Sequence, residues 1–476
     1  MIHRKRAVLF LILAVLFILT TPIVISYSLG WRIDFENWRI IKPGVFYLKA
    51  WPKSAEIYFN GQLKKKTDFF FGAGYIENIP PQKYEIEIKK EGFYDWKKIL
   101  EVKSGEVTEL KNIVLIPKNP NFKIITDKAT DFFFCPEKNC VILKEKSLSE
   151  NENWALKFLD LNKDIRSHLI SDYEIMQKTP VLKSKKASDI QISYLSFSQD
   201  SKKVLIEISS NELKDSKFYY LLEIDRNPPS LTYLDYITSD LGDIIFNPKN
   251  NQKIFSLKDK LLREIDLNTK TISSNTLENI LAYFIDQNNF YYIDSSGAFF
   301  RSDLGFSGRE KITNDYLPIT ENSTAKVYFS HPYFLIKIDD ILYLFNQDKN
   351  SLEKIAQPIK DFIISSDHKK LAYFNDYEIS ILFLEKKYDQ PLKEVGDKSF
   401  LTRFSEKIDK VFWYNNHYLI FNTGDKIKIT EIDDRDKINI VDFSNFKAPE
   451  IFWNKLDKKI YILSEGNLYS SEKLVP

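Results

Sequence analysis

A pattern that returns at intervals of about 45 residues constrains the fold of this chain more than any other feature of its sequence. Its first element is an apolar residue, a polar turn with Asp, two cations and an apolar strand, as in FSQDSKKVLI at 197–206 and ISSDHKKLAY at 364–373. Its second element is a strand that ends in an acidic or Asn turn, as in EIDLNT at 264–269. Units of this kind begin near positions 132, 192, 243, 281, 327, 361, 409 and 449.

Roughly four short strands in each unit, with no sustained helical stripe, predict a β-propeller over residues 122–476. Each blade must stack on its neighbours to bury both of its faces. The irregular spacing predicts about six to eight blades, with seven or eight favoured. A helix between 165 and 190 is a further expectation. The first element resembles the repeats of TolB-like and WD40-like propellers, which usually read Ser-Pro-Asp-Gly-Lys, although the glycine is missing here.

The segment from Ala7 to Trp31 contains no charged residue, and Ala7 to Ile25 is almost wholly apolar. At 1.5 Å per residue, about 19 apolar residues form a helix close to the thickness of a bilayer's hydrocarbon layer. The sequence therefore predicts a transmembrane helix over residues 7–29 that crosses the membrane once. A cleaved signal peptide is the alternative, because Ser26-Tyr27-Ser28 resembles a cleavage site.

The charges that flank this helix predict its direction. Arg4, Lys5 and Arg6 precede it, and Arg32, Asp34 and Glu36 follow it. Because positive charge is retained inside, the N-terminus is expected in the cytoplasm and the body outside it, on a single-pass protein of the cell membrane. Trp31 suits the outer interface, where amphipathic rings settle.

Residues 44–117 contain short alternating runs, such as AEIYF at 55–59 and YEIEIK at 84–89. Asn60 and Gly61 follow the first run, and an Asn-Gly pair between strands is a strong hairpin signal because both positions accept a positive φ. About seven short strands in this length predict a small β-sandwich.

Several positions of this segment occur in the order typical of a known module: Pro52, Ala55, Asn60, Gly61, Pro80, Pro81, Tyr84, Gly92 and Trp96. In this order they resemble the PEGA domain, a small β-sandwich of bacterial and archaeal surface proteins. The name-giving turn appears here as Pro-Pro-Gln-Lys-Tyr, without its glycine. The resemblance implies a structural or binding role and no catalytic residues.

The two cysteines, Cys135 and Cys140, have no second pair and no nearby histidine, so they cannot complete a structural zinc site. In an oxidising compartment they could close a disulfide across a hairpin turn. Two unpaired thiols are the alternative.

No motif for chemistry is present. The five histidines are scattered, and the sequence lacks a zinc-protease motif, a nucleophile elbow and a phosphate loop. His417 and the acid pair Asp433-Asp434 are interpreted as an ordinary half-buried imidazole and a solvated turn. Asp160 to Asp164 resembles the start of a calcium loop but lacks the required glycine and glutamate, so it is interpreted as a turn. We therefore predict no catalytic residue, metal or cofactor.

The sequence thus predicts an all-β protein with these segments: a cytoplasmic tail 1–6, a transmembrane helix 7–29, a linker 30–43, a PEGA-like β-sandwich 44–117 and a β-propeller 122–476. A net charge of +2 gives no reason to expect nucleic-acid binding. The expected function is a non-enzymatic binding or scaffolding platform for a protein or glycan partner. An extracytoplasmic hydrolase with its active site at the propeller channel is the alternative.

Overall fold

The computed structural model describes residues 2–34, 38–149, 151–183, 190–210, 213, 216–236 and 243–474. The chain divides into two compact units. The first consists of Met1–Asn121 and Phe362–Phe446, and the second of Phe122–Asp361 and Lys447–Pro476. Among the described residues, the regular structure apart from the N-terminal helix and one short helix is β-strand, which confirms the predicted all-β body.

The first unit begins with helix α1 (Ile2–Ser28), whose apolar part is long enough to cross a membrane or to be a signal sequence. This confirms the apolar helix predicted over residues 7–29. Strands β1 (Arg32–Asp34) and β2 (Arg39–Ile41) follow as an antiparallel pair. Arg39 Nε lies 3.0 Å from a carboxylate oxygen of Asp34.

The small β domain of the first unit contains seven strands: β3 (Gly44–Trp51), β4 (Glu56–Phe59), β5 (Gln62–Lys66), β6 (Ala73–Ile79), β7 (Lys83–Lys89), β8 (Trp96–Glu101) and β9 (Val107–Val114). They form two sheets, with strand orders β6-β3-β9 and β5-β4-β7-β8. Strands β3 and β9 are parallel, and the other pairs are antiparallel. Buried residues of both sheets share one apolar core, among them Phe46, Leu48, Ile57, Ile86 and Leu110.

Beyond Asn121 the chain is a succession of short strands. The second unit contributes β10 (Phe122–Thr126), β11 (Ala129–Phe134), β12 (Cys140–Lys146), β13 (Trp154–Asp160), β14 (Ile165–Ser171), β15 (Ile190–Phe197), β16 (Lys203–Ser210), β17 (Lys217–Glu223), β18 (Ser230–Tyr233), β19 (Asp243–Asn247), β20 (Asn250–Lys258), β21 (Leu261–Asp266), β22 (Thr271–Leu277), β23 (Ile280–Ile285), β24 (Asn289–Asp294), β25 (Phe299–Asp303), β26 (Glu310–Lys311), β27 (Ala325–Ser330), β28 (Tyr333–Ile338), β29 (Ile341–Asn346) and β30 (Ser351–Ala356). The first unit then contributes β31 (Asp361–Ile364), β32 (Lys370–Phe374), β33 (Glu378–Phe383), β34 (Lys398–Arg403), β35 (Ile408–Asn415), β36 (Tyr418–Thr423), β37 (Lys426–Glu431) and β38 (Ile440–Asn445). The second unit ends with β39 (Glu450–Asn454), β40 (Lys459–Ser464) and β41 (Asn467–Ser471).

The strands that the structure describes in the second unit form six four-stranded sheets. Five of them consist of four consecutive strands, and the sixth joins β10 to the last three strands in the order β10-β41-β40-β39. Buried residues of the composite sheet and of β11–β14 share one apolar core. Each following sheet shares a core with the next in the same way, as far as β27–β30. Face-to-face stacking of four-stranded sheets is the arrangement of the blades in a β-propeller.

In the first unit, the sheets β31–β34 and β35–β38 pack on each other in the same way. Ala372 and Ile381 of one sheet share a core with Trp413 and Phe421 of the other. Trp413 also donates a hydrogen bond from its indole nitrogen to the carbonyl oxygen of Ile363, at 3.1 Å. These two sheets form the part of the first unit on which the small β domain rests.

Seven of the eight predicted repeat starts lie within the first strand of one of these sheets, and the eighth, at 449, lies one residue before β39, an edge strand of the composite sheet. The repeated polar element is a hairpin turn stabilised by a serine. Ser198 Oγ accepts from the amide of Lys203 at 2.9 Å and donates to Asp200, and Ser365 makes the equivalent bonds to Lys370 and Asp367. The motif therefore specifies a turn between the first two strands of a sheet.

The position where the resembled repeats carry glycine has a positive φ in both turns. Ser201 has a φ of 53° and His368 a φ of 59°. This backbone conformation favours glycine and is strained for other residues. The chain therefore keeps the turn geometry without the residue that suits it best.

The predicted helix between 165 and 190 is shorter than expected. Residues 165–171 form strand β14, and helix α2 (Asp172–Lys178) follows. A capping box between Ser171 and Glu174 starts α2. Part of the predicted segment, residues 184–189, lies outside the described residues.

Candidate functional site

In strand β8 of the small β domain, inward and outward side chains alternate, and a lysine occupies one of the inward positions. Trp96, Lys98 and Leu100 are buried, and the residues between them are exposed. The side chain of Lys98 has no exposed surface. A buried ammonium is tolerated only when it is paired and hydrogen-bonded, so its partners define the candidate site.

The ammonium of Lys98 is surrounded by oxygen atoms from the sheet β35–β38. It lies 2.8 Å from a carboxylate oxygen of Glu431. It also donates to the carbonyl oxygens of Asp433 and Arg435 at 2.8 Å and of Lys437 at 3.1 Å. The loop after β37 therefore encloses the end of this side chain.

Glu431, the last residue of β37, is equally well bound. One carboxylate oxygen accepts from the Trp96 indole nitrogen at 2.8 Å. The other accepts from the backbone and side-chain nitrogens of Asn439 at 2.9 and 2.8 Å. Burial raises the pKa of this carboxyl group, while Lys98 and the hydrogen bonds oppose the rise. We call Trp96, Lys98, Glu431 and Asn439 the junction cluster.

The edge strand β9 meets the same two sheets through side chains. Gln390 donates to the carbonyl of Val107 at 2.9 Å and accepts from the amide of Glu109 at 3.0 Å. The hydroxyl of Tyr418 accepts from the amide of Val114 at 3.0 Å. The backbone groups of a sheet edge that would otherwise recruit another strand are thus satisfied.

A cavity of about 40 Å³ lies beside the junction cluster, lined by Trp96, Lys387, His417, Tyr418, Asp433 and Arg435 among others. This space holds at most a few water molecules. Asp433 and Arg435, which both line it, form a two-point ion pair with each other. The cavity is therefore too small to hold a sugar or a peptide.

Burial strongly lowers the pKa of two basic groups that line the cavity. Burial, assisted by the nearby Lys370 and Lys387, lowers the pKa of His417 to about 4. Burial lowers the pKa of Lys387 to about 8. Lys387 donates to the carbonyl oxygens of Asp389 and Pro391. His417 is thus neutral at neutral pH, and Lys387 stabilises the loop that contains Asp389 and Pro391.

The cluster and the cavity provide structural contacts and no reactive pair. No nucleophile is paired with a base there, and the described residues contain no group of three or more side chains able to hold a metal ion. What this arrangement can do is fix the small β domain against the sheets β31–β38 of its own unit.

Comparison with known proteins identifies no family. No protein-family model matches the chain, and no curated protein matches it in sequence. Many solved structures are similar to this chain, among them three at low sequence identity. The Cps50 (Swd1) β-propeller domain from Myceliophteria thermophila is 10% identical, with a TM-score of 0.41 over 75% of this chain and 98% of that one. The computationally designed Ika8 protein is 12% identical, with a TM-score of 0.45 over 73% and 97%. Hsv2 from Kluyvelomyces marxianus is 11% identical, with a TM-score of 0.39 over 74% and 100%.

Most of the PEGA-like positions lie away from the junction cluster. Asn60 and Gly61, with φ values of 48° and 77°, form the turn between β4 and β5. Ala55 and Tyr84 are buried in the core of the small β domain. The others are Pro52, Pro80 and Pro81 in connecting loops and Gly92 in the turn before β8. Of these motif residues, Trp96 belongs to the junction cluster. The PEGA resemblance stays a prediction.

The cysteines and the anchor residues lie elsewhere. Cys135 and Cys140 form a disulfide across the turn between β11 and β12, with Cα atoms 5.4 Å apart. Ala7 and Ile25 lie on α1 with exposed side chains, and Trp31 follows the helix. Of the charges predicted to set the direction, Arg6 is exposed, whereas the side chains of Arg4 and Lys5 lie outside what the structure describes.

The acid pair Asp433-Asp434 was wrongly interpreted as a solvated turn. Asp433 pairs with Arg435, and Asp434 accepts from the ammonium of Lys393 and the hydroxyl of Ser399. Sequence analysis also missed Lys98, although an inward-facing lysine in an alternating strand was a usable signal. By contrast, Asp160 to Asp164 is a turn between β13 and β14, as predicted.

Proposed function

We propose that this chain is a single-pass membrane protein whose body lies outside the cytoplasm and serves as a binding platform for a protein or a cell-surface glycan. The observation that carries the proposal is the buried contact between Lys98 and Glu431. It fixes the small β domain, which begins at Gly44, to the sheets β31–β38. The small β domain, which follows the proposed anchor, is thus packed firmly against these sheets and is not a flexible linker.

Two features support a membrane anchor and a body that lies outside the cytoplasm. The 23 residues Arg6–Ser28 form an apolar helix with no part of the span buried. The basic residues before it favour a cytoplasmic N-terminus. The disulfide between Cys135 and Cys140 supports an oxidising compartment for the body, because cytosolic thiols are kept reduced.

The sheets support a platform of the propeller type. Within each unit they stack face to face, and β10 completes the sheet that contains the last three strands. Such pairing of the first strand with the end of the chain is a means of closing a ring of blades. We therefore propose that these sheets are the blades of a propeller, within the six to eight blades that the sequence predicts, and that the small β domain is a PEGA-like domain.

A hydrolase is the alternative, favoured by the shifted pKa values of His417 and Lys387, since such shifts are frequent at catalytic sites. The platform accounts better for the same residues. The cavity of about 40 Å³ beside His417 and Lys387 is too small for a sugar or a peptide, and desolvation by packing is enough to lower both pKa values.

The experiment that separates the two is a binding and turnover screen on the full chain in lipid nanodiscs. Surface glycans, cell-wall fragments and envelope proteins are offered, and both retention and released product are measured. Saturable retention without product supports the platform. Turnover of a glycan or peptide that is lost in His417→Gln supports the hydrolase and contradicts the platform.

A further inference from the structure

Three consecutive phenylalanines stand at the surface of the small β domain, in the loop between β5 and β6. Phe69, Phe70 and Phe71 are 74%, 75% and 73% exposed. Single exposed apolar residues are normal, but a contiguous group of large ones marks a surface that contacts a partner or a membrane. We call these three residues the Phe tip.

The loop holds the Phe tip in a fixed outward conformation. Asp68 accepts hydrogen bonds from the amides of Phe70 at 2.8 Å and of Phe71 and Ala73 at 2.6 Å. These bonds lower the pKa of the Asp68 carboxyl. Phe69 and Phe70 pack edge to face, with ring centroids 5.7 Å apart. The aromatic rings are therefore displayed by a built turn.

Gly72 secures the same loop. Its φ is +68°, and a Cβ at this position would lie 2.4 Å from the carbonyl oxygen of Ala50. At Gly61, also at positive φ, a Cβ would meet nothing within 4 Å. The loop thus needs glycine at position 72 for close approach to β3 as well as for conformation.

The Phe tip lies on the side of the domain that faces away from the sheets β31–β38. Strands β8 and β9, which carry the junction contacts, are edge strands of their sheets, and β5 and β6 are the opposite edges. The tip connects β5 to β6. Leu63 and Tyr75, on these two strands, are also large exposed apolar residues.

The charge beside the tip is basic. Lys64, Lys65 and Lys66 are consecutive and exposed on β5. Lys64 and Lys65 donate to uncharged oxygens, which leaves their charge available, whereas Lys66 pairs with Glu56 at 2.9 Å. On β5, β6 and the loop between them, the acids are Asp68, held in its turn, and the exposed Glu77.

We propose that the Phe tip inserts into the headgroup layer of the membrane that α1 crosses, with Lys64 and Lys65 facing anionic lipid headgroups. An apolar group beside lysines is the composition of a surface that lies in the membrane interface. The inference rests on the proposed anchoring, which places this domain directly after the membrane helix. The strands β5 and β6 then lie along the bilayer, and the sheets β31–β38 lie on the far side of the domain.

The test uses the full chain in vesicles of phosphatidylcholine and phosphatidylglycerol. Phe70→Cys is labelled with an environment-sensitive nitrobenzoxadiazole dye, since the native cysteines are paired with each other. Glu91→Cys is the matched control. Glu91 is exposed in the turn that follows β7, outside the Phe tip. Quenching by doxyl-labelled lipids and vesicle flotation are measured on both.

We expect both proteins to float with the vesicles, with severalfold stronger lipid quenching at position 70 than at position 91. Flotation with equal, weak quenching at the two positions would overturn the insertion and leave the anchoring intact. A blue-shifted but unquenched dye at position 70 would also overturn it, since the tip would then lie against a protein or a second copy. Failure to float would contradict the anchoring and the insertion together.

Discussion

The ammonium of Lys98 lies 2.8 Å from the carboxylate of Glu431, and both side chains are almost completely withdrawn from solvent. The two residues belong to parts of the first unit that are far apart in sequence. A pair of this kind contributes little net stability over an apolar replacement, but the loss of one partner leaves a buried charge unpaired. The contact therefore favours one docked arrangement of the small β domain.

Removal of one partner should destabilise the first unit strongly. We expect Lys98→Met to lower the free energy of unfolding by about 3–5 kcal/mol, and Lys98→Met with Glu431→Leu to restore much of the loss. Denaturant unfolding of the full chain measures both. Lys97→Met is the control, since Lys97 pairs with Glu85 and Glu87 at the surface, where such ion pairs contribute little to stability. Equal losses in Lys97→Met and Lys98→Met would contradict this account of the junction.

Glycine at the strained turn position should stabilise the second unit. Ser201 has a φ of 53°, and its buried hydroxyl has no hydrogen-bond partner among the described residues. We expect Ser201→Gly to raise the free energy of unfolding by about 1 kcal/mol, because it relieves the strained φ and removes the hydroxyl. Ser201→Ala, which keeps the Cβ, should gain less. A loss of stability in Ser201→Gly, measured by thermal unfolding, would show that the turn is unstrained.

Acid should weaken the first unit through His417. Its pKa is about 4 in the folded chain and about 6.5 when unfolded, so the unfolded state binds the proton more readily between these values. Stability then falls as the pH drops from about 6.5 to 4, by up to about 3 kcal/mol, and this term is constant above pH 6.5. His417→Gln removes this term while all carboxylates remain. Identical pH profiles for the two proteins would contradict the buried neutral imidazole.

The disulfide should be present in the protein as it is made in the cell. We expect Cys135 and Cys140 to resist alkylation in the unfolded chain until a reductant is added. For a closed loop of this length, replacing both with Ser should cost about 2 kcal/mol of the free energy of unfolding. Mass spectrometry after alkylation gives the redox state. Labelling without a reductant would place the body in a reducing compartment.

The repeat could be predicted from the sequence because its signals are local. Turn residues such as Ser198 and Asp200 form hydrogen bonds within their own turn, and the alternation of apolar and polar residues predicts a strand from a few consecutive positions. The pairing of β10 with β41 and the contact of Lys98 with Glu431 could not be predicted, since each joins segments hundreds of residues apart. Charged residues at strand positions resemble surface residues until their partners are known.

The most direct test of the proposed platform is the side of the membrane on which the body lies. Lys349→Cys places a thiol in the exposed turn between β29 and β30, and His3→Cys places one before the apolar span. Intact cells are treated with a membrane-impermeant maleimide. The account predicts labelling of Lys349→Cys in intact cells and of His3→Cys only after lysis. Labelling of Lys349→Cys only after lysis would contradict it.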